Sequence, residues 1–345
     1  MVHLKNENKY NKGVETRINY HPSKLPNELE EAFLVPEMVR LSNVGMHCGC
    51  EYTSFPIFSN LEPYSRLTHS YGVASIIYHF SGDLRMSLSG AFHDIATPCF
   101  SHVIDFLHHD HVSQSSTEAG TKEIIENSLE IQKILQKCNI LTEEVADYHL
   151  YPIADNDTPK LSSDRLEYTL SNMVNFHFAS KEEAQSLYDD IRVGINEFKE
   201  EELMFGSLEV ASRFGELCLK TSSVYICNED RFSMERLAEL MRFAISKGYM
   251  EESDLYLDEV KLLDKLLQYP EFVSLWEEYR KQEAVEAILV EKPQYRKIPA
   301  KLRYIDPFVE GKGRLSKLNS SFAKALEEFL LHDFDIYLGP SSFFK

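Results

Sequence analysis

Apolar residues recur at steps of three and four along most of the chain, and this spacing limits the fold more than any other feature. Val73 and Ile76 share one face of a predicted helix, Leu88 and Phe92 share a face of the next, and the turn at 81–83 divides the two. Further helices are predicted at about 161–179, 181–201, 208–221, 231–247, 253–268 and 271–287. The expected fold class is therefore all-α.

Two regions are predicted within this helical chain, because 345 residues suffice for about two domains. A helical core is expected over residues 30–200 and a mostly helical C-terminal extension over residues 201–345, although no motif fixes the boundary near residue 200. Near the C-terminus the segment KLRYIDPFV, from Lys301 to Val309, is bounded by Pro299 and Gly311. Its composition predicts a short extended or β segment within the extension.

The charge of the chain restricts its partners. Aspartate and glutamate outnumber lysine and arginine by 55 to 36, which gives a formal net charge of -19. A protein this acidic repels nucleic acid, so a nucleic-acid partner is not expected, and a phosphorylated ligand requires a local cationic cluster or a metal ion. No apolar run is long enough to span a bilayer, and the start MVHLKNENKYNKG lacks the apolar stretch of a signal peptide. No membrane association is predicted, and a cytoplasmic location is expected.

The six cysteines are too few and too scattered to predict a disulfide framework, so they are expected to be reduced. One short stretch, His47-Cys48-Gly49-Cys50, offers ligands for a soft metal. No second Cys/His pair stands at a zinc-site spacing. Buried thiols near a turn are therefore the favoured interpretation of this stretch.

Positive charge is concentrated near the C-terminus, in a stretch that holds only three acidic residues. The basic residues of this stretch are Lys292, Arg296, Lys297, Lys301, Arg303, Lys312, Arg314 and Lys317. A solvated edge is the simpler interpretation of such a stretch. An anion site or a surface for an acidic partner is the alternative.

A His-Asp doublet, His93-Asp94, ends the helix that carries Leu88 and Phe92. An isolated doublet of this kind often does no more than cap a helix. Here His69 lies at the start of the preceding helix, and an antiparallel pair brings these two ends together. Asp164 opens a later helix, so four side chains from three helices can converge, which is how helical folds build metal sites.

This order of ligands resembles that of the HD-domain metal-dependent phosphohydrolase superfamily, with the nearest likeness to the deoxynucleoside triphosphate triphosphohydrolases. The resemblance covers about residues 33 to 178, and its entry segment is similar to VPEMVRL at 35–41. Three further motifs of the family are matched. The matching residues are Arg66, His69, Ser70, Gly72 and Val73 in the first motif, His93, Asp94, Phe100, Ser101 and His102 in the second, and Asp164, Arg165 and Tyr168 in the third.

The resemblance implies a site and a reaction. It assigns a divalent ion, of manganese, iron, nickel, zinc or magnesium, to four metal ligands: His69, His93, Asp94 and Asp164. It also implies hydrolysis of a small phosphorylated substrate, most simply a nucleotide, and family precedent suggests a homo-oligomer. Arg66 and Arg165 are expected to clamp phosphate, and Tyr168 to hydrogen-bond a phosphate or sugar. For Arg66 and Tyr168, ordinary packing on a helix surface is the alternative.

The chain departs from the triphosphohydrolases at two positions where those enzymes carry histidine. Thr97 stands in the H-D-L-G-H-G-P run and Thr117 at the start of the next predicted helix. Threonine cannot act as a general acid near pH 7, so hydrolysis of a whole triphosphate is not expected by that route. Replacement proton donors are sought among nearby histidines, with His111 preferred and His102 as a second catalytic candidate. A solvated loop histidine is the alternative for His111.

Two other functions remain open at this point. A nucleotide- or metabolite-sensing module that keeps the metal site but has little turnover is the alternative to the hydrolase. A scaffold with a purely structural metal is less favoured, because such a site needs neither Arg66 nor Arg165.

Overall fold

The computed structural model describes residues 16–21, 23–109, 112 and 120–341. Within these residues it contains 15 α-helices, which agrees with the predicted helical core. Their bounds, in chain order, are α1 Asn27–Ala32, α2 Pro36–Arg40, α3 Arg66–Ser81, α4 Leu84–Phe92, α5 Val103–Leu107, α6 Thr121–Asn127, α7 Leu129–Cys138, α8 Ser163–Asn175, α9 Lys181–Asp189, α10 Leu208–Val224, α11 Asn228–Ser246, α12 Glu259–Leu266, α13 Pro270–Arg280, α14 Leu315–Leu318 and α15 Ser320–Leu330.

Two small sheets accompany these helices, so the expected all-α class is only roughly right. The strands are β1 Ile191–Ile195, β2 Glu201–Phe205, β3 Val285–Ile288, β4 Arg296–Lys297, β5 Phe308–Val309, β6 Gly313–Arg314 and β7 Tyr337–Pro340. One sheet has the order β1-β2-β5-β6, with β1 antiparallel to β2 and a short parallel pairing between β2 and β5. The other has the order β3-β7-β4.

Two helices end earlier than predicted, and a strand follows each of them. The helix predicted at about 181–201 stops at Asp189, and Ile191–Ile195 forms β1. The helix predicted at about 271–287 stops at Arg280, and β3 begins at Val285. In β1 the β-branched residues Ile191, Val193 and Ile195 stand at alternate positions, which suits a strand better than a helix. The expected extended segment contains β5 at its end and no regular structure over 301–307.

The hairpin of α3 and α4 is fixed at its turn by local hydrogen bonds. Gly82 ends α3 in the left-handed conformation, with φ at 64°. The Asp83 carboxylate then accepts hydrogen bonds from the backbone N–H groups of Arg85 and Met86, which caps α4. The two helices therefore run antiparallel, and the start of α3 lies beside the end of α4, as predicted.

Helix α8 packs against α3 at a point where α3 has no side chain. A Cβ atom on Gly72 would lie 2.5 Å from Cγ of Glu167, which is closer than two carbon atoms can approach. Glycine at this position therefore allows α8 to lie close to α3. This contact places Asp164, in the first turn of α8, near His69 on α3.

The hydrophobic core contains side chains from both sides of residue 200. Leu170 on α8, Phe205 on β2 and Phe214 on α10 belong to one buried cluster, together with Leu315 and Phe322 from near the C-terminus. The predicted division at residue 200 stays a prediction. No helix in the described part of the chain is both long and apolar enough to cross a membrane.

Candidate metal centre

Four predicted ligands converge at the meeting point of three helices. His69 comes from the first turn of α3, His93 and Asp94 directly follow α4, and Asp164 lies in the first turn of α8. The side chains of His69, His93 and Asp94 are at most 8% exposed, and that of Asp164 is 20% exposed. The structure thus brings together the four residues that were predicted as metal ligands.

The separations between these side chains suit a single ion. Nε2 of His69 lies 3.2 Å from Nε2 of His93 and 2.9 Å from Oδ1 of Asp164. Nε2 of His93 lies 3.5 Å from Oδ2 of Asp94 and 3.7 Å from Oδ1 of Asp164. Two atoms that each lie about 2.1 Å from one ion are about 3 Å apart when they are adjacent ligands. Slight movements of the side chains therefore suffice to enclose an ion.

Hydrogen bonds at Nδ1 hold the imidazoles of His69 and His93 in the orientation that a metal ligand needs. Nδ1 of His93 lies 2.7 Å from the carbonyl oxygen of Gly90, so it carries the proton and donates it. Nδ1 of His69 lies 2.5 Å from Oε2 of Glu167 and donates to that carboxylate. Both Nε2 atoms face the cluster, which is the arrangement found when a carboxylate or carbonyl orients a ligating histidine. The donor set therefore fits a divalent ion.

Glu167 is a functional candidate that the sequence prediction missed. Its fully buried carboxylate accepts hydrogen bonds from the hydroxyls of Tyr64, Tyr20 and Ser171 in addition to His69. It lies three residues after Asp164, on the same face of α8. That spacing is a sequence signal, but only the packing of α3 against α8 reveals its partner.

Against the effect of burial, hydrogen bonds and neighbouring charges lower the pKa values of the two aspartates of the site and raise that of His69. Burial raises the pKa of Asp94, but the Arg66 guanidinium and both histidines outweigh that effect and hold it well below its usual range. For Asp164, hydrogen bonding to His69 outweighs burial and lowers the pKa to about 2. For His69, burial opposes protonation, but hydrogen bonds to Asp164 and Glu167 raise the pKa to about 10. The metal-free site therefore holds a proton on His69 at neutral pH.

This proton makes metal affinity depend on pH. An ion can bind Nε2 of His69 only after the proton leaves, whereas Asp94 and Asp164 are already ionised at pH 7. We expect the dissociation constant for Mn²⁺ to fall about tenfold for each pH unit between about pH 7 and 9. Calorimetry in buffers of different ionisation enthalpy should show about one proton released per ion. An affinity that stays constant over this range would contradict the protonated state of His69.

Arg66 contacts a ligand of the site directly. Its terminal nitrogen donates to Oδ2 of Asp94 at 2.9 Å, and its Nε donates to the Ser101 hydroxyl at 3.0 Å. Arg66 also lines the cavity described below. Its first role in the structure is to orient Asp94, and phosphate binding by Arg66 stays a prediction.

Thr97 supports Asp94 from the other side. Its hydroxyl donates to Oδ1 of Asp94 at 2.8 Å, and its carbonyl accepts from Arg40 at 2.7 Å. Thr97, which stands where the predicted likeness to the triphosphohydrolases calls for histidine, therefore positions a candidate ligand and supplies no acid. Thr117, the other such position, lies outside the described residues.

Removing the Thr97 hydroxyl should weaken metal binding without unfolding the protein. In Thr97→Val, Oδ1 of Asp94 loses its shorter hydrogen bond and keeps the one from Arg66 at 3.2 Å, and we expect Mn²⁺ affinity to fall about 10- to 100-fold. Thr221→Val is the matched control, because the Thr221 hydroxyl is also buried but bonds only to the carbonyl of Leu217 in its own helix. Equal affinities of the two variants, measured by calorimetry, would show that Thr97 does not position Asp94.

Arg165 and Tyr168 are placed differently from one another. The guanidinium of Arg165 donates to Asp155 at 3.0 Å and to Asn156 at 3.1 Å, and it does not line the cavity. It holds the loop before α8, so a role in binding phosphate requires it to leave these partners. Tyr168 lines the cavity beside His69, with ring centroids 6.4 Å apart. Both substrate-binding roles stay predictions.

Of the two histidines predicted to act in catalysis, the structure describes only His102. His111 lies outside the described residues. His102 lines the cavity, with Nδ1 at 3.0 Å from Asp105 and Nε2 at 3.2 Å from Arg303. Burial lowers its pKa to about 4, against the opposing effect of Asp105. A neutral imidazole is a poor proton donor at pH 7, and the catalytic role of His102 stays a prediction.

The four ligands lie in the wall of a cavity of about 180 Å³. Lys301 and Arg303 from the C-terminal basic stretch line the same cavity, together with Asp230 and Met234 from α11. The extension therefore brings positive charge to a site whose ligands come from the first half of the chain. Of the two interpretations of the basic stretch, an anion site fits these two residues.

The stretch His47 to Cys50 forms a buried turn beside this cavity. Gly49 has φ at 80°, and the thiols of Cys48 and Cys50 are buried. Burial raises the pKa of the Cys48 thiol to about 12, so it is protonated at neutral pH. Protonated thiols agree with the favoured interpretation of buried cysteines near a turn, and all six cysteines are free.

The known proteins that are similar to this chain include one that is named for its activity. No protein-family model matches the chain. The chain is 24% identical over 258 residues to the metal-dependent phosphohydrolase cns2 of Cordyceps militaris, an alignment that covers 72% of each protein. This chain is similar to a metal-dependent phosphohydrolase. The relative's name fits the HD superfamily that the motifs indicate, and together with the cluster of His69, His93 and Asp94 it points to a divalent metal.

Two further similar proteins have no stated function. An uncharacterized protein of Bacillus subtilis, YdhJ, is 27% identical over 204 residues, which span 59% of this chain and 61% of YdhJ. A crystal structure of a hypothetical protein from Aquifex aeolicus shares the fold, with a TM-score of 0.58 and 17% identity over 91% of this chain and 92% of that protein. None of these comparisons bears on the likeness to the triphosphohydrolases, which stays a prediction.

Proposed function

We propose that the protein is an HD-type metal-dependent phosphohydrolase that releases phosphate from a small phosphorylated substrate, most simply a nucleotide. The observation that carries this proposal is the convergence of two imidazoles and two carboxylates in the wall of a cavity that also holds Lys301 and Arg303. Oxygen and nitrogen ligands suit a hard or borderline divalent ion, and the cations suit an anionic substrate.

His69, His93, Asp94 and Asp164 are the residues that would hold the ion. When bound, a divalent ion supplies Lewis acidity toward a phosphoryl oxygen and makes water more acidic. The remaining residues of the cavity bind and orient. Arg303 and Lys301 attract the phosphate, whereas the buried pairing of Arg66 with Asp94 keeps that carboxylate ionised.

A phosphate monoester suits the cavity better than a triphosphate. Thr97 stands where the triphosphohydrolases carry a histidine, so that acid is missing, and the Thr97 hydroxyl donates to Asp94. The lining cations Arg66, Lys301 and Arg303 all interact within the protein as well, Arg66 with Asp94 and Arg303 with His102. We therefore infer that the substrate carries few phosphate charges.

The test is a screen for phosphate release with and without metal. Nucleoside mono-, di- and triphosphates and common sugar phosphates are incubated with the protein in Mn²⁺, Fe²⁺, Ni²⁺, Zn²⁺ or Mg²⁺, and in chelator. The proposal expects at least one monoester to be hydrolysed with metal and not with chelator. Absence of hydrolysis across the screen in a metal-loaded preparation would refute it.

One observation favours a second function, a nucleotide-sensing module with little turnover. Both ring nitrogens of His102 are engaged, and its pKa is lowered to about 4 by burial. Among the described residues that line the cavity, no histidine outside the ligand set is therefore placed to donate a proton at pH 7. Tight nucleotide binding without any phosphate release would support this function over the hydrolase.

A further inference from the structure

The cavity continues along α8, beyond the four candidate ligands. Asp164, Tyr168, Asn172 and Phe176 all line it, and they are spaced four residues apart on one face of the helix and its end. Twelve residues of helix correspond to roughly 18 Å. The ligands occupy the Asp164 end, so the Asn172 end lies well away from them and is available to another part of a substrate.

A chain of hydrogen bonds crosses the Asn172 end. Nε2 of His47 lies 3.1 Å from Oδ1 of Asn172, and Nδ2 of Asn172 donates to the Tyr225 hydroxyl at 2.8 Å. Burial lowers the pKa of His47 to about 3, so its imidazole is neutral and donates through Nε2. Nδ1 of His47 is then an acceptor, and the Tyr225 hydroxyl retains its own proton as a donor.

Asp230 adds a carboxyl group to this end of the cavity. It lies in the first turn of α11 and lines the cavity, with a Cys50 Sγ at 3.8 Å from its Oδ1. Burial raises the pKa of Asp230 to about 8, against the opposing effects of its hydrogen bond to Cys50 and of the positive charges of Arg231 and Arg303. A protonated carboxyl is neutral and can both donate and accept a hydrogen bond.

The walls around these polar groups are apolar and partly aromatic. They consist of Phe58, Phe176, Met46 and Met234. A ligand here therefore meets apolar faces together with hydrogen-bonding groups that carry no charge. This combination suits a flat, neutral heterocycle, whose faces are apolar and whose edge donates and accepts. A sugar or an aliphatic chain satisfies only one of the two requirements.

We propose that His47, Asn172, Tyr225 and Asp230 form a subsite for the neutral heterocycle of the substrate, such as the base of a nucleotide. The phosphate then lies toward Asp164 and within reach of Arg303, which contacts His102 and whose charge acts on both Tyr168 and Asp230. This assignment rests on the proposed function for the position of the phosphate, but the subsite itself is defined by residues that are not metal ligands.

Equilibrium binding tests the subsite independently of catalysis. The wild-type protein is titrated in chelator with the common nucleosides, with their monophosphates and with glycerol phosphate. At least one nucleoside, which has no phosphate, is expected to bind, and its monophosphate is expected to bind more tightly than glycerol phosphate. Tyr225→Phe should weaken nucleoside binding about tenfold, because one hydrogen bond is lost.

Two further variants show whether a loss of nucleoside binding is specific to the subsite. Tyr256→Phe, a control at a half-exposed tyrosine outside the cavity, should leave nucleoside binding unchanged. Asp230→Leu removes a second polar group and should also weaken nucleoside binding about tenfold, with glycerol phosphate binding retained. Retained binding of the phosphate compound shows that each variant is folded.

The outcomes separate the subsite from the proposed function. If no nucleoside binds, or if Tyr225→Phe and Asp230→Leu bind nucleosides as tightly as the wild type, the subsite is wrong. The hydrolase still stands in that case if glycerol phosphate or a sugar phosphate is hydrolysed with metal. Conversely, nucleoside binding that depends on Tyr225 supports the subsite even if no ester is hydrolysed.

Discussion

Replacing Asp94 with alanine is expected to remove most of the bound metal and to lower phosphate release by about a thousandfold or more. A divalent ion contributes several kcal/mol to a phosphoryl-transfer reaction, and a thousandfold corresponds to about 4 kcal/mol. Asp94 is expected to be indispensable because it is held in place by both Arg66 and Thr97. Metal content by plasma mass spectrometry and initial rates of phosphate release measure the two effects.

The same substitution leaves the buried Arg66 without its carboxylate, which can destabilise the fold. Asp164→Ala is therefore the second variant, since the Asp164 side chain is more exposed than that of Asp94 and is hydrogen-bonded to His69. Asp264→Ala, on the exposed face of α12, is the control and should keep both metal and activity. Full metal occupancy in folded Asp94→Ala and Asp164→Ala would refute the assignment of the ligands.

Replacing Arg303 with alanine is expected to raise the KM for the substrate about 10- to 100-fold. A hydrogen bond to a charged group contributes about 1.5 to 3 kcal/mol, which corresponds to this range. Arg303 lines the cavity and already lies within hydrogen-bonding distance of His102, so its guanidinium faces the site. Steady-state kinetics on the best substrate of the screen, with metal content measured in parallel, gives the result.

Arg296→Ala is the matched control for this experiment. Arg296 belongs to the same basic stretch, but it lies on the exposed strand β4 and does not line the cavity. It removes the same charge from the protein, so any general electrostatic effect appears in both variants. An equal change of KM in Arg296→Ala and Arg303→Ala would show that Arg303 has no specific role.

The convergence of the candidate ligands was predictable because part of its geometry is local. His69 and His93 lie at the adjacent ends of one helical hairpin, whose turn is fixed by Gly82 and Asp83. The apolar spacing predicted both helices, and a hairpin brings such ends together whatever the rest of the chain does. The helix that carries Asp164 begins at a serine N-cap, which is also visible in the sequence.

The remaining parts of the site depend on contacts between distant segments. Arg303 reaches a cavity formed by α3, α4 and α8 only because the extension packs back on the core, and the sequence showed merely a cluster of positive charge. Arg165 was assigned to phosphate by the family resemblance, and nothing in the sequence indicates that its guanidinium contacts Asp155 in the loop before α8. Glu167 acquires its role from the close approach of α8 to α3 at Gly72.

The small sheets were largely missed for a related reason, since within the expected segment 301–309 only β5 forms. Strands such as β4 are two residues long and exist through pairing with a segment far away along the chain, in this case β7. So short a strand has no periodicity to detect, and its formation depends on tertiary contacts.

The most direct test of the central claim is anomalous diffraction from crystals of the protein grown or soaked with Mn²⁺. The account predicts one strong anomalous peak enclosed by Nε2 of His69, Nε2 of His93 and the carboxylates of Asp94 and Asp164, each ligand atom about 2.0 to 2.3 Å from the ion. An ion bound elsewhere, or no peak at this site at the alkaline end of the pH range in which Mn²⁺ is expected to bind, would contradict it.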